Sequence, residues 1–308
     1  MKKQIPIFFS TDDNYIPFLD VAISSLIANA SKEYLYKIIV LHTGLREENI
    51  YRVMQNQTEC VDIQFVDITK DIERISDRFK NVYHFSVAAY YRIFIATLFP
   101  QYDKVLYLDC DLVVLGDISK LYHTEIGNCI LGAAQEQFVQ VTKEFKLYTE
   151  NAVGVNPDGY VNSGVLLMNL KAFRENKIEE KFISLISEYD FDLLDPDQAY
   201  LNYLCAGKIH MLPIGWNKEP LPVAREIEKN IVHYALYKKP WQYDDVIDGK
   251  YFWQYAKRSH FFEEIQCRRN SFSDDDRVKK DLAAREILEH AIRIVNSNNT
   301  FVEKLCKN

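Results

Sequence analysis

Val105-Leu106-Tyr107-Leu108-Asp109-Cys110-Asp111 is an apolar run that ends in two carboxylates. The run reads as a buried strand, and residues i and i+2 at its end project to one face. Asp109 and Asp111 are therefore presented together at the carboxyl edge of a sheet, where open α/β folds bind their ligands. Paired like charges repel unless a cation sits between them, and hard carboxylate oxygens suit Mg²⁺ or Mn²⁺. Cys110, between them, is expected on the opposite face.

Two chemistries use this device. One is the DxD motif of nucleotide-sugar glycosyltransferases, whose carboxylates hold a metal against a diphosphate. The other is the haloacid-dehalogenase-type phosphohydrolase, in which Asp109 would be the nucleophile and Mg²⁺ the cofactor; Asp109-Cys110-Asp111-Leu112-Val113 satisfies that pattern too. The phosphohydrolase motif opens its domain, whereas here a long strand-helix pattern comes first. The motif alone leaves both readings open.

Working outward, apolar spacing predicts strands at 5–9, 37–42 and 61–66, with helices at 18–28, 47–57 and 87–98 between and after them. Beyond the aspartates, strands are expected near 129–134, 165–170, 209–212 and 230–234, and helices near 179–189 and 198–205. Such alternation implies an α/β fold with a mostly parallel sheet flanked by helices. The chain of 308 residues fits one large domain, taken here as residues 1–260, with a helical extension over 261–308.

Composition narrows the class. Apolar residues make up 48% of the chain and aromatic residues 13%, as in a folded enzyme rather than a disordered chain. A net charge of −7 argues against a nucleic-acid partner. No stretch approaches the ~20 continuous apolar residues of a membrane span. Six scattered cysteines without a C-x-x-C pattern read as reduced thiols in a cytoplasmic protein.

The stretch Cys267–Ser271 and the acidic Asp274-Asp275-Asp276 read as a linker. A helix with Leu288, Ala291, Ile292 and Val295 on one stripe follows it. That stripe suits packing on the main domain, contact with a second copy, or peripheral contact with the inner face of the cell membrane.

Five ordered blocks then resemble glycosyltransferase family 8, the retaining GT-A enzymes that include bacterial lipooligosaccharide galactosyl- and glucosyltransferases and glycogenin. They are Phe8–Tyr15, Ser86–Arg92, Asp109–Asp111, Gly159–Leu170 with Asp195-Pro196-Asp197-Gln198, and His233–Trp241. The resemblance covers roughly residues 4 to 260 and implies a GT-A, Rossmann-like fold. It implies a UDP-glucose or UDP-galactose donor, Mn²⁺ (or Mg²⁺) as cofactor, and a glycan or lipid-linked saccharide as acceptor.

By the same resemblance, Ser10, Thr11, Asp12, Asn14 and Tyr15 meet the nucleotide. Arg92 and Asn162 reach the donor, Asp197 binds a sugar hydroxyl, and Gln198 lies near the anomeric carbon. Asp109, Asp111 and His233 are the implied metal ligands and Lys239 the diphosphate clamp, with Asp109 also touching the donor. Gln198, Asp197, Lys239 and Arg92 are thus the implied catalytic set, and Glu136 is a candidate for the acceptor cleft. Leu236 stands where the family has Gly, which bears on the loop facing acceptor and phosphate. A protein that binds UDP-sugar without transferring it would need the same contacts.

Overall fold

The structure is a computed structural model that describes residues 2–73, 87–222 and 225–306. Its strands are β1 (Lys3–Ser10), β2 (Tyr34–His42), β3 (Val61–Asp67), β4 (Lys104–Leu108) and β5 (Leu112–Val114), then β6 (Leu131–Gln135), β7 (Val161–Asn169), β8 (Ile209–Leu212) and β9 (Ile231–His233). Seven of them form one sheet in the order β3-β2-β1-β4-β7-β6-β8. Every neighbouring pair is parallel except those that β7 makes with β4 and β6. A mostly parallel sheet is therefore what forms, with one reversed strand, β7, in its interior.

The buried runs explain the layering. Strand β1 buries all of Ile5–Ser10 and β4 buries Val105–Leu108, as expected of strands covered on both faces. Phe8, Tyr107 and Leu166 look into one apolar cluster, while Phe9, Leu106 and Leu167 look into the other. Strands β5 and β9 make a separate antiparallel pair in which Leu112 stands opposite His233. This short ladder brings a residue from late in the chain beside the aspartates.

Two local expectations change. Residues 87–98 are a 3₁₀ helix over Val87–Phe94 that continues as one α turn, Ile95–Leu98. The tighter pitch sets the Ala89 carbonyl where Arg92 Nε donates to it at 2.8 Å. Ser86, which opens that block, lies outside the described residues.

The expected linker is helical instead. One helix, Phe262–Ser271, runs through it, and a second, Asp274–Val295, starts two residues on. Arg268 and Arg269 fill the last turn of the first helix, and the three aspartates fill the first turn of the second. Both placements complement the helix dipole. Ser273 and Asp276 close a capping box, so the charge run marks a helix boundary rather than a flexible joint.

Of the predicted stripe, Ala291 is buried and Val295 packs against the same core, while Ile292 is only half-buried. Ala291, Ile294 and Phe301 are buried in the same main core, and Leu288 faces a cleft. No described helix is long and apolar enough to cross a membrane.

Candidate active site

A cleft of about 460 Å³ opens at the carboxyl ends of β1 and β4, within the usual range for a small-molecule site. Ser10, Thr11, Asp12 and Tyr15 line one end, Asp109 and Asp111 the floor, and Asn162, Asp197 and Gln198 the other end. Asn14 is exposed and not part of this lining, and its carbonyl accepts from Arg268. Asp12 Oδ1 accepts from the N–H groups of Asn14 and Tyr15 at 2.9 Å, tying the loop that leads into the Ile16–Asn29 helix.

Asp109, Asp111 and His233 offer ligand atoms that all lie within 4.8 Å of one another. His233 Nε2 is 3.1 Å from Asp111 Oδ1 and 3.7 Å from Asp109 Oδ2. Adjacent ligands of an octahedral ion at ~2.1 Å lie ~3 Å apart, so the trio fits a small divalent cation. The space is kept by a missing side chain. A Cβ on Gly164 would lie 2.1 Å from His233 Cε1 and 2.6 Å from Asp109 Oδ2.

Each ligand is held from behind. His233 Nδ1 is 2.9 Å from Asn217 Oδ1, which leaves Nε2 for the cation side. Lys239 Nζ is 2.7 Å from Asp111 Oδ2 and donates to the Tyr234 carbonyl at 2.5 Å. Lys239 is thus buried beneath the floor and does not line the cleft. Burial alone would raise the Asp111 pKa, but Lys239 and His233 outweigh it and hold the carboxyl well below the usual range.

Arg92 is equally buried. It pairs with Asp109 Oδ1 at 2.8 Å and with Asp197 Oδ2 at 3.2 Å, donates to the Ser163 carbonyl, and sits over the Tyr107 ring. Burial disfavours its charge, yet Asp109 and Asp197 raise its pKa further. Its fixed fork therefore aligns two carboxylates that come from opposite sides of the cleft.

The far end is an amide network. Gln198 Oε1 accepts from Ser163 N–H at 2.9 Å, and its Nε2 donates to Glu136 and to Asp195, each at 3.0 Å. Asn162 Nδ2 donates to Glu136 at 2.7 Å, and its Oδ1 accepts from Asn217 Nδ2 at 2.8 Å. Asp195 takes hydroxyl bonds from Tyr148 and Tyr160, and burial pushes its pKa up to about 7. Asp197 is also raised, by burial first, with Arg92 opposing.

The pattern of glycosyl transferase family 8 matches residues 6–245. The chain belongs to that family. Its relatives include the lipopolysaccharide 1,2-glucosyltransferase of Escherichia coli (strain K12), 26% identical over 76% of this chain and 71% of that protein. Another is general stress protein A of Bacillus subtilis (strain 168), 28% identical over 75% of this chain and 85% of that protein.

Among solved structures, the galactosyltransferase LgtC with donor and acceptor sugar analogues superposes with a TM-score of 0.65. That match is 25% identical and covers 83% of this chain and 96% of LgtC. The bifunctional glycosyltransferase WbbM gives a TM-score of 0.76 at 25% identity, over 88% of this chain and 52% of WbbM. The fold is thus the GT-A fold of family 8, and the phosphohydrolase reading of Asp109-Cys110-Asp111 is set aside. Cys110 takes no part in the cation cluster; its Sγ is 3.2 Å from the Ser10 carbonyl, and burial pushes the thiol pKa up.

Other residues of this family 8 site were not visible as motifs. Asn217 and Glu219 sit in Gly215-Trp216-Asn217-Lys218-Glu219, a stretch outside the five blocks, and all three of its polar residues are fully buried. The Asp274–Val295 helix, packed against the helix that carries Phe145, contributes Asp281, Ala284, Arg285, Ile287 and Leu288 to a cleft wall that Phe138 and Phe145 also line. Leu236, in the place of the family Gly, lines the same cleft. The only sequence signal for the helix was its amphipathic stripe, which does not say what the stripe faces.

Proposed function

We propose that this protein transfers a hexose, glucose or galactose, from a UDP-sugar to a hydroxyl of a saccharide acceptor, keeping the α configuration. The observation that carries the reading is the Asp109, Asp111 and His233 cluster on the floor of a family 8 cleft. Two carboxylates and one imidazole suit Mn²⁺, with Mg²⁺ as the harder substitute. A bound cation there would supply positive charge against the diphosphate as the sugar departs.

The chain's own groups divide the remaining work. Ser10, Thr11, Asp12 and Tyr15 face the nucleotide. Lys239 and Arg92 hold Asp111 and Asp109 in place from behind, so their role is to position the ligands. Asn162, Asp197 and Gln198 present polar groups to the sugar. The wall between Phe138 and the Ala284–Leu288 turn is assigned to the acceptor, a glycan or lipid-linked saccharide.

The bond from the anomeric carbon to the diphosphate oxygen breaks, and a bond from the acceptor oxygen to that carbon forms. The hydroxyl proton passes to the departing phosphate oxygen. Gln198 is an amide with both ends hydrogen-bonded, which makes it a poor nucleophile. Attack from the face that the diphosphate leaves gives retention without a covalent intermediate.

Thermal unfolding with UDP and Mn²⁺, with UDP and EDTA, and without ligand tests this. Ligand at ~100 times its Kd stabilises by about 2.7 kcal/mol, several degrees for a chain of this size. A rise in Tm that needs both UDP and Mn²⁺, followed by release of UDP from UDP-glucose or UDP-galactose, is expected. A rise without turnover of either donor would leave a binding protein instead, and no rise would remove the nucleotide assignment.

A further inference from the structure

Glu219 is a buried acid whose carboxylate converges with that of a second acid, Glu136, on the Phe138 N–H, each at 3.2 Å, next to the sugar end of the cleft. Its Oε1 accepts from Gln137 N–H at 3.0 Å and its Oε2 from Phe138 N–H at 3.2 Å. Glu219 N–H donates back to Gln137 Oε1 at 3.3 Å, so the two segments interlock. Glu136 uses Oε1 to accept from Phe138 N–H at 3.2 Å. Its Oε2 gathers the Asn162 and Gln198 amides at 2.7 and 3.0 Å.

We propose that Glu219 is a positioning residue for the transfer, acting through Glu136 to hold the Asn162 and Gln198 amides in register with the donor sugar. This inference rests on the transferase reading above. Glu219 touches no substrate, because Glu136 stands between it and the cleft.

The physical basis is a hydrogen bond between two acids. Burial first, and then the Glu136 carboxylate beside it, keep Glu219 protonated well above the usual range, so that its O–H donates to Glu136. Two ionised carboxylates at that contact would repel in a dry site. The other charged groups nearby do not replace the proton. Lys218 Nζ points to the carbonyls of Glu219 and Leu221. Asp195 lies beyond Gln198, with Tyr148 and Tyr160 donating to it. When rising pH removes the Glu219 proton, the two carboxylates repel and the Asn162 and Gln198 amides lose their anchor.

The test is UDP release from UDP-glucose and UDP-galactose with Mn²⁺, followed across neutral and alkaline pH for wild type, Glu219→Gln and Glu219→Ala. Glutamine keeps one oxygen for the Gln137 N–H and offers an N–H to Glu136 at every pH, while the Phe138 N–H retains Glu136 Oε1 as its acceptor. Glu219→Gln should stay within about threefold of wild type at neutral pH and lose the alkaline fall that wild type shows. Glu219→Ala should lower kcat by ~10- to 100-fold with the donor KM within about twofold, as expected for a ~1 Å misplacement rather than lost binding.

Asp195 titrates in wild type and Glu219→Gln alike, so the difference between their profiles isolates Glu219. Superimposable profiles, a Glu219→Gln loss as deep as that of Glu219→Ala, or an unchanged kcat in Glu219→Ala would overturn the inference. If Glu219→Ala fails to fold, the two remaining profiles decide. Wild-type protein that neither binds UDP with Mn²⁺ nor releases it from either donor would defeat the transferase reading, and this inference with it.

Discussion

Replacing Gly164 by alanine should disable the cation cluster while leaving the fold standing. The added Cβ would meet His233 Cε1 at 2.1 Å, His233 Nδ1 at 2.8 Å and Asp109 Oδ2 at 2.6 Å. Carbon atoms rest at ~3.5 Å or more, so the imidazole must move by ~1 Å or more to make room. It cannot do so cheaply. Asn217 fixes Nδ1, Asp111 stands against Nε2, and the backbone of His233 is held opposite Leu112. Overpacking of this kind costs ~1–3 kcal/mol, a fall of a few degrees in Tm, and leaves a folded protein to measure.

The larger effect is on the ligands. Two of the three are pushed off their mutual spacing, for which we expect Mn²⁺ affinity ~10- to 100-fold weaker and donor turnover ~10²-fold lower. Titration calorimetry of Mn²⁺ in the presence of UDP, beside a melting curve, reads both quantities. A Gly164→Ala protein with wild-type Mn²⁺ affinity and turnover would show that the trio is not the cation site.

Three further outcomes are expected. Asp111→Asn should lower donor turnover ~10²- to 10³-fold, because it removes a charged ligand and strands Lys239; steady-state kinetics with both donors would check it. Asn217→Ala, which never touches the cation, should weaken Mn²⁺ binding ~10-fold or more by freeing the His233 ring, and unchanged Mn²⁺ titration would refute that orienting role. Asp195, raised by burial to about 7 from an ordinary 3.8, loses its proton more readily unfolded than folded. Its contribution to stability is therefore full below the unfolded value and is lost as pH rises through the folded one. The Tm difference between Asp195→Asn and wild type should shift in favour of the variant from acid to neutral pH, and a difference independent of pH would count against the buried carboxyl.

The features of this protein that rest on short-range chemistry were legible in its sequence. Alternating apolar runs gave the strands of a mostly parallel sheet, because burial on both faces demands continuous apolar segments. The position of Asp109 and Asp111 at a strand end put them on a ligand-binding edge, and the ordered blocks pointed to the family.

Tertiary structure decided what depends on groups far apart in the chain. His233 reaches Asp111 only through the pairing of β5 with β9. Gly164 is one residue of the Gly159–Leu170 block, and only the fold shows it to be a gap that two ligands require. Asn217 and Glu219 belong to no motif, and nothing local revealed their burial. The tail helix carried a visible stripe, but an amphipathic pattern fixes only that one face is covered; the packing of Ala291 and Ile294 into the core determined that Arg285 and Leu288 would wall the cleft. Local periodicity constrains the backbone within a few residues, whereas the partners of a buried charge are chosen by the fold as a whole.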